Sequence, residues 1–174
     1  MVNDVGDIVQ ARRYIDQCAL DLKLDDLPEI GAMIETPASA MMLDQLLGVV
    51  DFVSIGSNDL SQYVLAIDRG HPELASKLDA LHPAVLRMIK HVAETGRLAG
   101  KKVSLCGGLA SDPVAIPLLL GLDVLELSVV PVLIPRIKNL VRQLNIKACR
   151  TLVEQALSAG DAASVPRSHP EDIG

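Results

Sequence analysis

The sequence predicts a parallel α/β fold of four successive βα units behind one opening helix. Three observations predict it. Short aliphatic runs alternate with longer segments of helical period, the order expected of parallel strands joined by crossover helices. Each run ends on a polar residue or a thiol, followed by a Gly, Pro or polar turn. The composition is aliphatic: 49% of the 174 residues are hydrophobic, yet Phe52, Tyr14 and Tyr63 are the only aromatic ones. Leu, Val, Ile and Ala must therefore build the core, which suits strands buried on both faces.

The elements follow in order. Ile8, Ala11, Ile15, Cys18, Ala19 and Leu22 recur at helical spacing and give the opening helix. A strand at 30–34 ends on Glu35. Thr36-Pro37, a hydroxyl cap followed by proline, starts a helix to about Leu47. The second strand, 52–56, stops at Ser57-Asn58-Asp59, and a helical pattern resumes from Leu60. A polar loop carries Asp68, Arg69 and Gly70. His82-Pro83 begins a long helix to about Ala99. The third strand, 102–106, breaks at Gly107-Gly108. Ser111-Asp112-Pro113 caps a helix that Gly121 ends, and the fourth strand is 124–128. Helices from Pro135 to about Leu144 and over 147–159 close the pattern. The expected division is one partial-barrel domain over 1–159 and a polar, disordered tail over 160–174. Four βα units are enough for half of a (β/α)8 barrel or for a small open sheet.

Composition also excludes. A net charge of -6 argues against nucleic acid, whose phosphates recruit basic surfaces. The most apolar stretch, 114–135, is interrupted by Asp123 and Glu126 and punctuated by Pro117, Gly121 and Pro131, so no membrane insertion is expected. Cys18, Cys106 and Cys149 lack metal-ligand spacing. Their odd number and the absence of a signal peptide fit a cytoplasmic location.

Polar groups at the carboxy ends of parallel strands are where α/β folds place their sites. Glu35 and Asp59 occupy matching positions after neighbouring strands. Two such carboxylates suit Mg²⁺, which takes one or two of them together with substrate oxygens and water. Taken singly, Glu35 is equally a first-turn acid at a helix start, and Asn58-Asp59 a helix cap. Arg69 lies close by in sequence, and its planar fork suits a phosphate or carboxylate. Cys18 and Cys149 read as small buried hydrophobes. Cys106 differs by ending the third strand on the same side as the acids. An ordinary thiol is mostly protonated at neutral pH and can give its proton to a carbanion or enolate. The four histidines read as structural or surface residues.

The stretch DFVSIGSNDLSQYVLAIDR, from Asp51 to Arg69, resembles the second signature of the phosphoenolpyruvate-utilising enzymes through Ser54, Gly56, Asn58, Asp59, Leu60, Gln62 and Arg69. Gly31 to Ala38 looks like that family's metal-ligand strand, Leu105 to Asp112 like its cysteine turn, and Ile134 to Lys138 like its closing helix. The resemblance covers about residues 8–158. It is strongest to Enzyme I of the bacterial sugar phosphotransferase system, including fused multiphosphoryl-transfer proteins. Gly108 stands where the classical form usually has Glu and favours the fused type.

The resemblance implies the carboxy-terminal half of a phosphoenolpyruvate/pyruvate-type (β/α)8 barrel. Glu35 and Asp59 would hold Mg²⁺, and Asn58, Asp59 and Arg69 would bind substrate. A histidine on a separate amino-terminal domain would take the phosphoryl group and pass it to a phosphocarrier protein. Cys106 would protonate the enolate of pyruvate. The acceptor-histidine motif and the first barrel strands are not in this sequence, so the chain alone is expected to be inactive and to self-associate, as a homodimer or larger. The competing readings are a Mg²⁺-dependent aldolase or lyase of the related barrel superfamily, and a noncatalytic dimerisation module.

Overall fold

A computed structural model describes residues 1–167. Helix α1 (Val5–Leu22) opens on a reciprocal cap, in which the Asp4 carboxylate accepts from the Asp7 N–H and the Asp7 carboxylate from the Asp4 N–H. Then come β1 (Gly31–Ile34), α2 (Pro37–Met41), α3 (Leu43–Leu46), β2 (Phe52–Gly56), α4 (Ser57–Leu65) and α5 (Pro83–Leu98). The chain continues through β3 (Lys102–Cys106), α6 (Ala115–Gly121), β4 (Glu126–Leu127), α7 (Ile134–Gln143) and α8 (Ile146–Ser158). The strands form one parallel sheet in the order β1-β2-β3-β4.

Register sorts the side chains into two faces. Ala32 and Ile34 align with Val53 and Ile55, and these with Val103 and Leu105. Of this set only Val103 is not fully buried, because α5 and its neighbours pack over that face. The other face carries Met33, Ser54, Ser104 and Glu126 in one row. Met33 and Glu126 are exposed and the two serines half-buried. Contrary to the compositional expectation, then, only one face of the sheet is covered. The apolar content goes instead into the helix layer, where Leu43, Leu46, Leu86, Ile89, Leu118 and Leu119 have almost no exposure.

The second helix and the fourth strand depart from the sequence reading. The helix expected over 36–47 breaks at Met42 (φ -97°, ψ 14°). The break leaves Met41 in solvent and turns Leu43, Leu46 and Leu47 into the core. The strand expected over 124–128 aligns with β3 at Glu126 and Leu127, and the Ser128 N–H adds a bond to Leu105 O at 2.8 Å. Its first residues close the end of α6: Asp123 is left-handed (φ 61°), and the Val124 N–H donates to Leu119 O at 3.0 Å. At the amino end of the sheet, Asp51 braces β1 to β2 by accepting from the Ile30 N–H (2.7 Å) and from Arg12 (3.1 Å). Those donors, the Ile30 amide first, hold its carboxyl below the usual range. Past α8, where the sequence predicts a tail, residues 161–167 turn back onto the body: Val165 is buried and Arg167 pairs with Asp79. The remainder of the expected tail, 168–174, lies outside the described residues. No helix among them is long and apolar enough to cross a membrane.

Candidate active site

Glu35, Asn58, Asp59 and Cys106 sit at or just beyond the carboxy ends of β1, β2 and β3, and Arg69, past α4, reaches back to them through its side chain. Glu35 directly follows β1. Gly56, the last residue of β2, aligns with Cys106, the last of β3. A Cβ added at Gly56 would stand 2.9 Å from the Glu35 Cβ and 3.2 Å from its Oε2. Glycine there leaves the room in which the Glu35 carboxylate lies against the end of β2.

Helix α4 begins immediately after β2, at Ser57 rather than Leu60. Asn58 and Asp59 are thus in its first turn and not in a preceding loop. A first-turn carboxylate is favoured by the helix dipole. Arg69 lies ten residues on, past the left-handed cap at Ala66, where Gln62 Oε1 accepts from its backbone N–H at 3.2 Å. Its guanidinium folds back onto Asp59 Oδ1 at 2.9 Å. The Arg69 side chain is half exposed, so this pair contributes at most about 1 kcal/mol after solvent screening.

Asn58 is exposed, and its Oδ1 accepts from the Gly108 N–H at 2.9 Å. An acceptor facing that amide fixes the orientation of the carboxamide, leaving its NH₂ as the donor. Cys106 is partly accessible on the open side of the sheet. Its thiol donates to Ile55 O at 3.5 Å and touches the Met33 sulfur at 3.6 Å. Cys149 contrasts with it: that thiol is fully buried between helices, and burial pushes its pKa up. Cys18 is exposed on α1, against the expectation of a buried hydrophobe. His82 caps α5 by accepting from the Ala84 N–H, and His71 accepts from the Glu73 N–H, both structural roles. His169 lies outside the described residues.

Sequence reasoning missed Ser57. It is fully buried, and its hydroxyl donates to Cys106 O at 2.7 Å. The adjacent Gly107 has φ 92°. Only its place in the Gly-Gly break after a strand hinted at such a constraint. A groove of about 550 Å³ lined by Arg97, Lys102, Leu125 and Arg150 opens at the amino ends of β3 and β4, away from these residues.

Among the described residues no group of three or more His, Cys, Asp or Glu is gathered to hold a metal ion. What the site offers is two carboxylates: Asp59, its Oδ1 engaged by an arginine, and Glu35, in the space Gly56 leaves. Hard oxygen donors so few in number fit Mg²⁺ completed by ligand oxygens and water, and do not fit a cage for zinc.

Acids, an amide, an arginine and a thiol thus stand at the carboxy end of parallel strands, the end where α/β folds place small-molecule sites. Residues 1–146 match the family described as PEP-utilising enzyme, PEP-binding domain, and the chain belongs to it. Within that family it is similar to the multiphosphoryl transfer protein of Xanthomonas campestris pv. campestris. The two are 46% identical over 165 residues, covering 95% of this chain and 20% of that protein. Against the phosphoenolpyruvate-protein phosphotransferase of Haemophilus influenzae it is 36% identical over 170 residues, covering 95% and 30%. The chain thus spans less than a third of either relative. The citrate lyase of Burkholderia xenovorans LB400 shares the fold, with a TM-score of 0.61 at 19% identity, covering 91% of this chain and 52% of the lyase. The partial-barrel reading of the sequence agrees with that match.

Proposed function

We propose that this chain supplies the Mg²⁺- and phosphoenolpyruvate-binding part of a phosphoenolpyruvate-protein phosphotransferase of the sugar phosphotransferase system. The observation that carries the reading is the contact of Asn58 with the turn after Cys106, next to the Asp59–Arg69 pair, in a chain whose first 146 residues match the PEP-binding family. Glu35 and Asp59 would hold Mg²⁺, which when bound neutralises charge on the phosphate and carboxylate of the ligand. Arg69 has only to leave Asp59 Oδ1 to present its fork to phosphoryl oxygens. The Asn58 NH₂ would donate to the same group. Loss of the phosphoryl group to a histidine elsewhere leaves the enolate of pyruvate. The Cys106 thiol gives its proton to the enolate carbon and regains one from solvent.

Magnesium, a cytoplasmic setting and a phosphocarrier protein as the next acceptor belong to this same reading. The lyase alternative draws on the same two acids but has only a likeness of fold behind it. Calorimetry tests the reading. Phosphoenolpyruvate should release heat on binding only when Mg²⁺ is present, and no heat with both present would sink it. The isolated chain should show no steady pyruvate production, since the acceptor histidine is not in it.

Self-association of the chain is part of the proposal. Leu20, Leu22, Leu24 and Leu27, on α1 and the segment leading into β1, are exposed, as are Leu125, Val130 and Val132, next to and just after β4. Apolar strips beside unpaired strand edges favour association. Light scattering at high concentration should give a mass above that of the monomer, and a monodisperse monomer would contradict this.

A further inference from the structure

We infer that Ser57 is a positioning residue for the Cys106 thiol, acting with Asn58 as a two-point clamp on the turn that follows β3. This rests on the reading of Cys106 as the proton donor. A serine at the start of a helix ordinarily turns its hydroxyl to its own backbone. Here α4 has no side-chain cap, and the buried Ser57 hydroxyl instead crosses to the neighbouring strand, donating to Cys106 O at 2.7 Å. Asn58, the next residue, accepts from the Gly108 N–H at 2.9 Å. One side chain thus holds the carbonyl before Gly107, and its neighbour holds the amide after it.

Gly107 lies between these two anchors. A Cβ added there would stand 2.5 Å from Ser57 Oγ and 3.0 Å from Asn58 Oδ1, at a φ of 92° that side chains rarely adopt. The turn therefore has no slack. With the backbone of Cys106 pinned on one side, its thiol is held over the open face against Ile55 O and the Met33 sulfur. Asn58 has a double part: its oxygen anchors the turn, and its NH₂ remains a donor. The grip on a phosphoryl group and the aim of the thiol are thereby set by adjacent atoms of one residue.

The test is alkylation by iodoacetamide, resolved to individual cysteines by mass spectrometry. Exposed Cys18 serves as the internal standard and buried Cys149 as the reporter of unfolding. Ser57→Ala should raise the Cys106 rate relative to Cys18 about tenfold, the factor one lost hydrogen bond allows, with Cys149 still silent. Asn58→Ala should raise it as well, while Asn58→Asp, which keeps the acceptor, should not. An unchanged Cys106-to-Cys18 ratio in Ser57→Ala overturns the clamp. So does a rise in which Cys149 takes part, because that marks general loosening. Should Ser57→Ala fail to fold, the exposed Asn58 pair decides: equal rates in Asn58→Ala and Asn58→Asp overturn the proposal. The readout needs neither Mg²⁺ nor phosphoenolpyruvate, so its failure is distinct from a failure of the binding reading.

Discussion

Asp59→Asn is expected to weaken Mg²⁺-dependent phosphoenolpyruvate binding by about 100-fold or more, the loss typical when one preorganised charge is taken from a site that handles phosphoryl groups. The substitution keeps shape and hydrogen-bonding capacity and removes only the charge. It also leaves Arg69 without its ion-pair partner, but that side chain is half exposed, so the fold should lose no more than about 1 kcal/mol. Binding and stability therefore separate. Glu35→Gln should behave in the same way. Arg69→Ala should not: it frees Asp59 Oδ1, so Mg²⁺ alone should bind at least as well, while phosphoenolpyruvate binds more weakly. Calorimetric titrations with the ion alone, and then with both ligands, would resolve this pattern. Asp59→Asn binding as tightly as the parent chain would remove the metal from the site.

Gly121→Ala should destabilise the chain by about 3 kcal/mol, the upper end of what an overpacked core costs. Gly121 ends α6, and α8 crosses there with almost no gap. A methyl group would stand 2.4 Å from the Cys149 carbonyl oxygen and 2.7 Å from a Val153 methyl. The carbonyl belongs to the α8 backbone and cannot rotate away, so the whole helix must shift. Ala115, Leu118 and Leu119 on one helix and Cys149, Leu152 and Ala156 on the other would lose contact together. A stability change of this size lowers the thermal midpoint by roughly 6–12 °C in a chain of this length. Gly160→Ala is the control, since an added Cβ there meets nothing within 4 Å. Equal midpoints for the two variants would show that the helix contact is softer than described.

Much of the fold was legible in the sequence because strand and helix signals coincided with hard stops. The strands at 52–56 and 102–106 are bounded as read, since Ser57-Asn58 and Gly107-Gly108 leave no room for extension. Other elements were illegible for identifiable reasons. The run at 124–128 is apolar enough for a strand, but its first amide is taken by Leu119, five residues back, in the left-handed cap that closes α6, and the apolar pattern alone does not announce that bond. The single helix expected over 36–47 had no breaker; burial of Leu43 and Leu46 decided its kink. At the site, residue types marked Glu35, Asp59, Arg69 and Cys106. The pairing of Arg69 with Asp59 and the reach of Ser57 to Cys106 join residues 10 and 49 positions apart, and only the folded register brings those atoms together.

The row Met33, Ser54, Ser104 and Glu126 has a volumetric consequence. Closed barrels are filled by tiers of branched, bulky inward side chains. This wall contributes two hydroxymethyl groups, one thioether and one carboxylate to its middle tier. Two copies of it closed face to face would enclose a polar, water-holding hollow with a pair of Glu126 carboxylates facing each other at close range. A wall bringing large aliphatic side chains from across the axis would fill the same space and leave the acids room to find partners. The apolar strips at the edges would favour contact between copies of this chain, but the hollow middle asks for a complement that is not its own image.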